Sequence, residues 1–173
     1  MHRSINLAFA TIALIATITG YISLIPNIAR SQQPTPKTCN RATKEGYPFP
    51  SSSGYVSGYQ VKAKTGLSTV RFDNSQGNFD LFIKLFTLSS ERPQTIRAFL
   101  VKQGQEFTIE NVTRGTYDVR YRNLSTCKLF RTKKFKLKEE KTSDRIQFSR
   151  IELTTYKVPQ GTSHHESIKE EDF

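Results

Sequence analysis

This sequence predicts an all-β fold, an antiparallel two-sheet sandwich of about seven strands. Three observations predict it. Along residues 55–158, apolar and polar residues alternate in short runs, the period of a half-buried strand. Gly, Asn and Ser clusters separate those runs, as turns do between antiparallel strands. No segment of this region repeats its apolar residues at helical spacing.

The sandwich is expected behind an N-terminal apolar helix and a Pro/Ser-rich linker. Residues 1–29 read as a signal peptide or a membrane anchor. Within them, residues 5–25 form an uncharged run of 21 mostly apolar residues, long enough to cross a bilayer. The best cleavage position follows Ala29, with Asn27 in the place of a small residue, so cleaved signal and retained anchor both stay open. Arg3 precedes the run, while Arg30, Lys37, Arg41 and Lys44 follow it. That balance argues against an outward-facing chain if the anchor is retained. Either reading exports the remainder, to a periplasmic or extracellular location, or ties it to a membrane. Residues 30–54 switch to Gln, Pro, Thr, Lys and Ser without periodicity and read as a flexible linker.

Residues 55–158 carry the predicted domain. After a Gly-punctuated start, STVRFD (68–73) gives a strand with Val70 and Phe72 on one face. NSQG (74–77) makes a turn, where Asn and Gly accept positive φ at little cost. In FDLFIKLF (79–86), Phe79, Leu81, Ile83 and Leu85 line one face, with Phe82 and Phe86 on the other. Apolar residues on both faces predict a central strand covered on its second side. Residues 95–121 read as three short strands with two tight connections. Phe99 and Val101 alternate before Gly104, Phe107 and Ile109 after it, and Tyr117, Val119 and Tyr121 after a turn at 111–115. KLFRTKKFKLKEE (128–140) breaks at residues 132–134 in a turn or bulge. Along 145–158 the apolar phase slips between Phe148 and Ile151, and again before Tyr156, which predicts a bulge or bend. Residues 159–173 have no periodicity and read as a mobile polar tail.

Residues 104–123, GQEFTIENVTRGTYDVRYRN, resemble a motif of transthyretin-like and carboxypeptidase-regulatory-like sandwiches. There an apolar-x-apolar strand and a short turn precede Gly-x-Tyr, which opens the next strand; Phe107, Ile109, Val112, Gly115 and Tyr117 match. Gly115 permits the turn, while Phe107, Ile109 and Tyr117 suit the space between sheets. The longer run from GLSTVRFD to TTYKV resembles uncharacterised β-rich domains of bacterial exported or membrane-tethered proteins. The resemblance implies a non-catalytic binding or structural role and transfers no activity.

Charge is unevenly spread. The chain holds 26 Lys and Arg against 15 Asp and Glu, a net +11, and residues 114–145 alone hold eleven basic and four acidic residues. The last ten residues reverse this, with four acidic groups and one lysine. Alternate residues of a strand share a face, so Arg120 and Arg122 project together, opposite Val119 and Tyr121. Lys134 and Lys136 do likewise beside Phe135 and Leu137. These four are the candidate contacts for an anionic partner: an envelope polymer, lipid head groups or a protein. Nucleic acid suits an exported chain less well. A lysine-rich strand equally serves as a guarded sheet edge. Cys39 and Cys127 are candidates for one disulfide in an oxidising compartment, and free thiols in a reducing one.

Catalytic and cofactor chemistry find little support. His2 lies in the leader and His164 and His165 in the tail, so the predicted domain lacks the commonest general base. Glu139–Glu140 and Glu170–Glu171 sit in lysine-rich or terminal polar stretches, where solvated surface is the better account. There is no glycine-rich phosphate loop, and two distant cysteines lack zinc-site spacing. No cofactor is expected. Asn111 and Asn123 open glycosylation-type sequons. The expectation is a non-catalytic exported or membrane-anchored binding or structural module of the cell envelope. The alternative is an enzyme, a hydrolase, with an unrecognised site.

Overall fold

The computed structural model describes Cys39 and residues 42–89, 91–155 and 165–173, all within the compact unit Pro34–Phe173. The expected signal or anchor, residues 1–29, lies outside the described residues. Among the described residues, no helix is long and apolar enough to cross a membrane.

The described chain is all-β: β1 (Gly54–Tyr55), β2 (Ser68–Asp73), β3 (Leu81–Thr87), β4 (Gln94–Val101), β5 (Glu106–Val112), β6 (Gly115–Asn123), β7 (Leu129–Thr132), β8 (Phe135–Leu137), β9 (Glu139–Lys141), β10 (Ile146–Phe148), β11 (Arg150–Thr154) and β12 (His165–Ser167). A short 3-10 turn, Glu170–Asp172, follows β12. The larger sheet runs β1-β4-β3-β6-β7-β12, with β8 also paired to β6. A second sheet runs β11-β2-β5, and β9 pairs with β10. Every pairing is antiparallel except β2 with β11, which is parallel.

β3 is the central strand its two apolar faces predict: it pairs with β4 on one side and β6 on the other. Its inner side chains, Leu81, Ile83 and Leu85, join Phe99 and Val101 of β4 and Val119 of β6. They meet Val70 and Phe72 of β2 and Ile109 and Val112 of β5 from the smaller sheet in one buried cluster. Each such side chain contributes about 1.5–3 kcal/mol on full burial, so this shared cluster dominates the stability.

Several expectations are corrected here. The stretch 95–121 does form three strands, but they are not hairpins. β5 pairs with β2, whereas β4 and β6 flank β3, so both connections cross between sheets. Crossing puts Phe99, Ile109 and Val119 into a common core, which a flat meander would not. At the second crossing, Tyr117 Oη donates to the Thr113 carbonyl at 2.5 Å. A tyrosine opening a strand and bonding back a few residues upstream is a known corner of Greek-key sandwiches.

Gly77 answers to close approach rather than to φ, since it is not among the positive-φ residues. A Cβ there would lie 1.8 Å from Asn74 Oδ1. Asn74 is buried, and its Nδ2 donates to the carbonyls of Phe79 at 2.9 Å and Lys102 at 3.1 Å.

The break at 132–134 separates β7 from β8, which pair with successive parts of β6. Thr132 Oγ1 accepts the Val119 N–H at 3.1 Å, serving a donor left between the two ladders. The slip after Phe148 is a change of sheet: β10 pairs with β9, and β11 with β2. Tyr156, where a second slip was expected, lies outside the described residues.

Both flanks are more structured than composition implied. Residues 42–53, expected in the linker, pack on the larger sheet, with the Phe49 ring 5.0 Å from that of Phe82. Residues 165–173, expected as a mobile tail, add β12 to the edge of β7. The outer face of β3 carries Phe82, and bare aromatic surface there favours a cover.

Candidate functional site

The second face of β3 positions the site. Phe82, Lys84 and Phe86 alternate with the core residues, and their partners on β6 are Arg122, Arg120 and Asp118. Directly paired residues project to the same side of a sheet. Three cations and one carboxylate therefore share a face flanked by two phenylalanines.

Each cation has defined neighbours. Arg120 is buried; its Nε lies 3.2 Å from Asp118 Oδ1, and its guanidinium stands 3.9 Å over the Phe86 ring. Its Nη1 donates to the Asp172 carbonyl. Arg122 pairs with Glu170 and lies 5.0 Å from the Phe173 ring centre. Lys84 Nζ donates to a Phe173 backbone oxygen at 3.1 Å and stands 4.5 Å over the same ring. At the rim, Arg131 pairs with Glu166 at 2.7 Å. The backbone completes the set: β12 runs antiparallel to β7, with Glu166 opposite Arg131. Residues 165–173 thus lie along a cationic, aromatic groove.

Residues 42–59 bound the groove's other side. A cavity of about 230 Å³ is lined by Thr43, Glu45 and Phe49 of this flank, Lys84 and Arg122 of the sheet, and Phe173. Burial lowers the Lys84 pKa from its ordinary value, partly offset by Glu45 and reinforced by Arg122. Tyr59 Oη donates to Glu45 Oε2 at 2.6 Å. Burial first, and this acceptor second, raise the Tyr59 pKa strongly. Burial opposes ionisation of Glu45, yet the hydrogen bonds it accepts hold its pKa below the usual carboxylate value. The arrangement is suited to holding anionic and aromatic groups.

The four residues read from sequence do not form one patch. Arg120 and Arg122 do share a face, opposite Val119 and Tyr121, but they lie under residues 170–173. Lys134 and Lys136 are exposed. Lys136 pairs with Thr116, four residues up β6 from Arg120, about 13 Å away at strand rise. Lys134 falls in the gap between β7 and β8. Cys39 and Cys127 are within disulfide distance, their Cα atoms 5.3 Å apart. His165 opens β12, its ring edge-on to Tyr121 at 5.5 Å; His164 lies outside the described residues.

Sequence reasoning missed Lys84, Glu166, Glu170 and Phe173. One signal was present: a lysine between two phenylalanines on the second face of a central strand needs both a cover and an acceptor. The other was the charge reversal between residues 114–145 and the last ten.

No protein-family model matches the chain, and no characterised protein or solved structure is detectably similar to it.

Proposed function

We propose that this chain is a non-catalytic module of the cell envelope, exported or membrane-anchored through residues 1–29, which holds an anionic partner on the cationic face of its larger sheet. One observation carries the reading: Lys84, Arg120 and Arg122 converge on a single sheet face, where carboxylate and carbonyl oxygens satisfy them. The exposed Lys134 and Lys136 extend positive charge toward the rim. In this reading the two sheets are the layers of a sandwich. The Tyr117–Thr113 corner and the shared core agree with the resemblance to transthyretin-like modules. The Cys39–Cys127 pair suits an oxidising compartment.

The test is fractionation of the native cells expressing the full chain, compared with an Arg122→Gln, Lys134→Gln, Lys136→Gln variant. Arg120 is spared because it is buried against Asp118. The wild type is expected with the envelope, with thiols protected from alkylation until reduction. Chemical cross-linking of the full chain to an envelope component, a readout that a retained anchor does not mimic, is expected to be lost at lower salt in the variant than in the wild type. Unchanged cross-linking of the variant overturns the cationic-face reading, and freely alkylated thiols overturn export.

A further inference from the structure

Charge alone does not describe what the groove holds. Residues 165–173 engage it in three chemically distinct ways. The β12 backbone pairs with the open edge of β7. Glu166 and Glu170, four residues apart, meet Arg131 and Arg122. The Phe173 ring sits 4.5 Å from Lys84 Nζ and edge-on to Phe82 at 5.4 Å. A glycan, a wall polymer or a lipid head group can supply the anions, but neither the strand ladder nor the ring. Only a polypeptide offers all three, which is the mode of recognition by strand addition to a sheet edge.

The hold on this segment is also of a releasable kind. Within residues 165–173 only Ile168 and Phe173 are half-buried; the others are exposed. Segments with few buried apolar contacts open at low free energy. Ion pairs at the surface weaken further as salt rises.

We propose that the groove is a receptor site for an acidic peptide strand of a partner protein, and that His165–Phe173 is its exchangeable resident. The proposal rests on the reading that this face binds an anionic partner, and it names the class of that partner. The recognised pattern is two acidic residues four apart, the first in a strand and the second opening a 3-10 turn, followed by an aromatic residue three further on. A net charge of +11 makes a second copy of this chain a poorer donor than an acidic protein. The resident keeps the site closed until a strand of matching pattern displaces it.

The experiment uses the full chain, wild type and Glu170→Gln, Phe173→Ala, with a labelled amidated peptide of sequence HESIKEEDF followed by fluorescence anisotropy. A scrambled peptide of equal composition and polyglutamate are the charge controls. Glu170→Gln alone, which removes an ion pair and no packing, stands in if the double variant does not fold. A tethered resident competes at high effective concentration, so weakening it is expected to tighten peptide binding roughly tenfold or more. Preference for the native order over the scrambled one should appear at the same time, and Arg122→Gln added to the variant should abolish it. Equal binding of both peptides and polyglutamate overturns the strand-receptor proposal and leaves the anionic-partner reading standing. Failure of every anionic probe overturns both. A wild-type dimer that the peptide disperses assigns the groove to a second copy and overturns the partner assignment.

Discussion

Tyr117, Lys84 and Arg97 are polar residues held by the sheets, and each is held for a different reason. Tyr117 fills the core with its ring and brings its hydroxyl to the Thr113 carbonyl at the crossing from β5 to β6. Burial raises its pKa, so the hydroxyl remains a donor across the neutral range. Tyr117→Phe should cost about 1 kcal/mol, read as a lower urea midpoint at unchanged m-value; an unchanged midpoint would remove the corner from the account. Arg97 is 1% exposed, and its Nη1 and Nη2 donate to the carbonyls of Ile96 at 2.9 Å and Ala63 at 3.3 Å. It pins the crossing segment at Ala63, whose φ of 50° is positive. Lys84 is charged against aromatic rings, and burial lowers its pKa from 10.5. Between that lowered value and 10.5 the unfolded chain binds more protons than the folded one. The Lys84 contribution to stability therefore rises with pH across this window. Wild type should gain stability relative to Lys84→Met as pH increases there. Parallel curves would mean that Lys84 titrates normally in the fold.

At the scale of elements, connections matter as much as strands. The β2–β3 turn, the β4–β5 crossing and Thr155 meet at Asn74, whose backbone carbonyl accepts from Gly77 and Gly104, both at 3.0 Å. Its side chain cannot swing aside without giving up its hydrogen bonds to the Phe79 and Lys102 carbonyls. Gly77→Ala should therefore destabilise by about 1–3 kcal/mol, measurable by urea denaturation. A neutral result would show the turn able to open without loss. The β7–β8 edge is interrupted at Lys133 and Lys134, both exposed, an arrangement that discourages strand addition. The β7 part of that edge is closed by β12 instead. One broken edge strand thus has a guarded half and a half that accepts a strand.

For the whole molecule, the Cys39–Cys127 pair spans 88 residues and joins the segment before β1 to the turn after β6. In the chain-entropy model, closing such a loop stabilises by about 4 kcal/mol. Reduction under non-denaturing conditions should lower the denaturation midpoint accordingly, and should loosen residues 42–53 first, seen as faster amide exchange. Equal midpoints before and after reduction would place the stability in the two-sheet core alone. Strand-forming tendency, the central position of β3 and the chain breaks near 133 and 149 were legible in the sequence. They depend on local alternation, which a strand's two faces impose on neighbouring residues. Pairing partners were not legible, because apolar alternation assigns a face without saying which sheet receives it. Hence β4, β5 and β6 read as neighbours although β5 belongs with β2. The fate of the charges was hidden for the same reason. The sequence by itself determined that Arg120 and Arg122 share a face and that the last ten residues are acidic. Only the tertiary structure decided that the two meet: when β12 joins β7, the chain after it is carried over β6, where Glu170 pairs with Arg122 across 48 residues and the Asp172 backbone carbonyl accepts from Arg120 across 52.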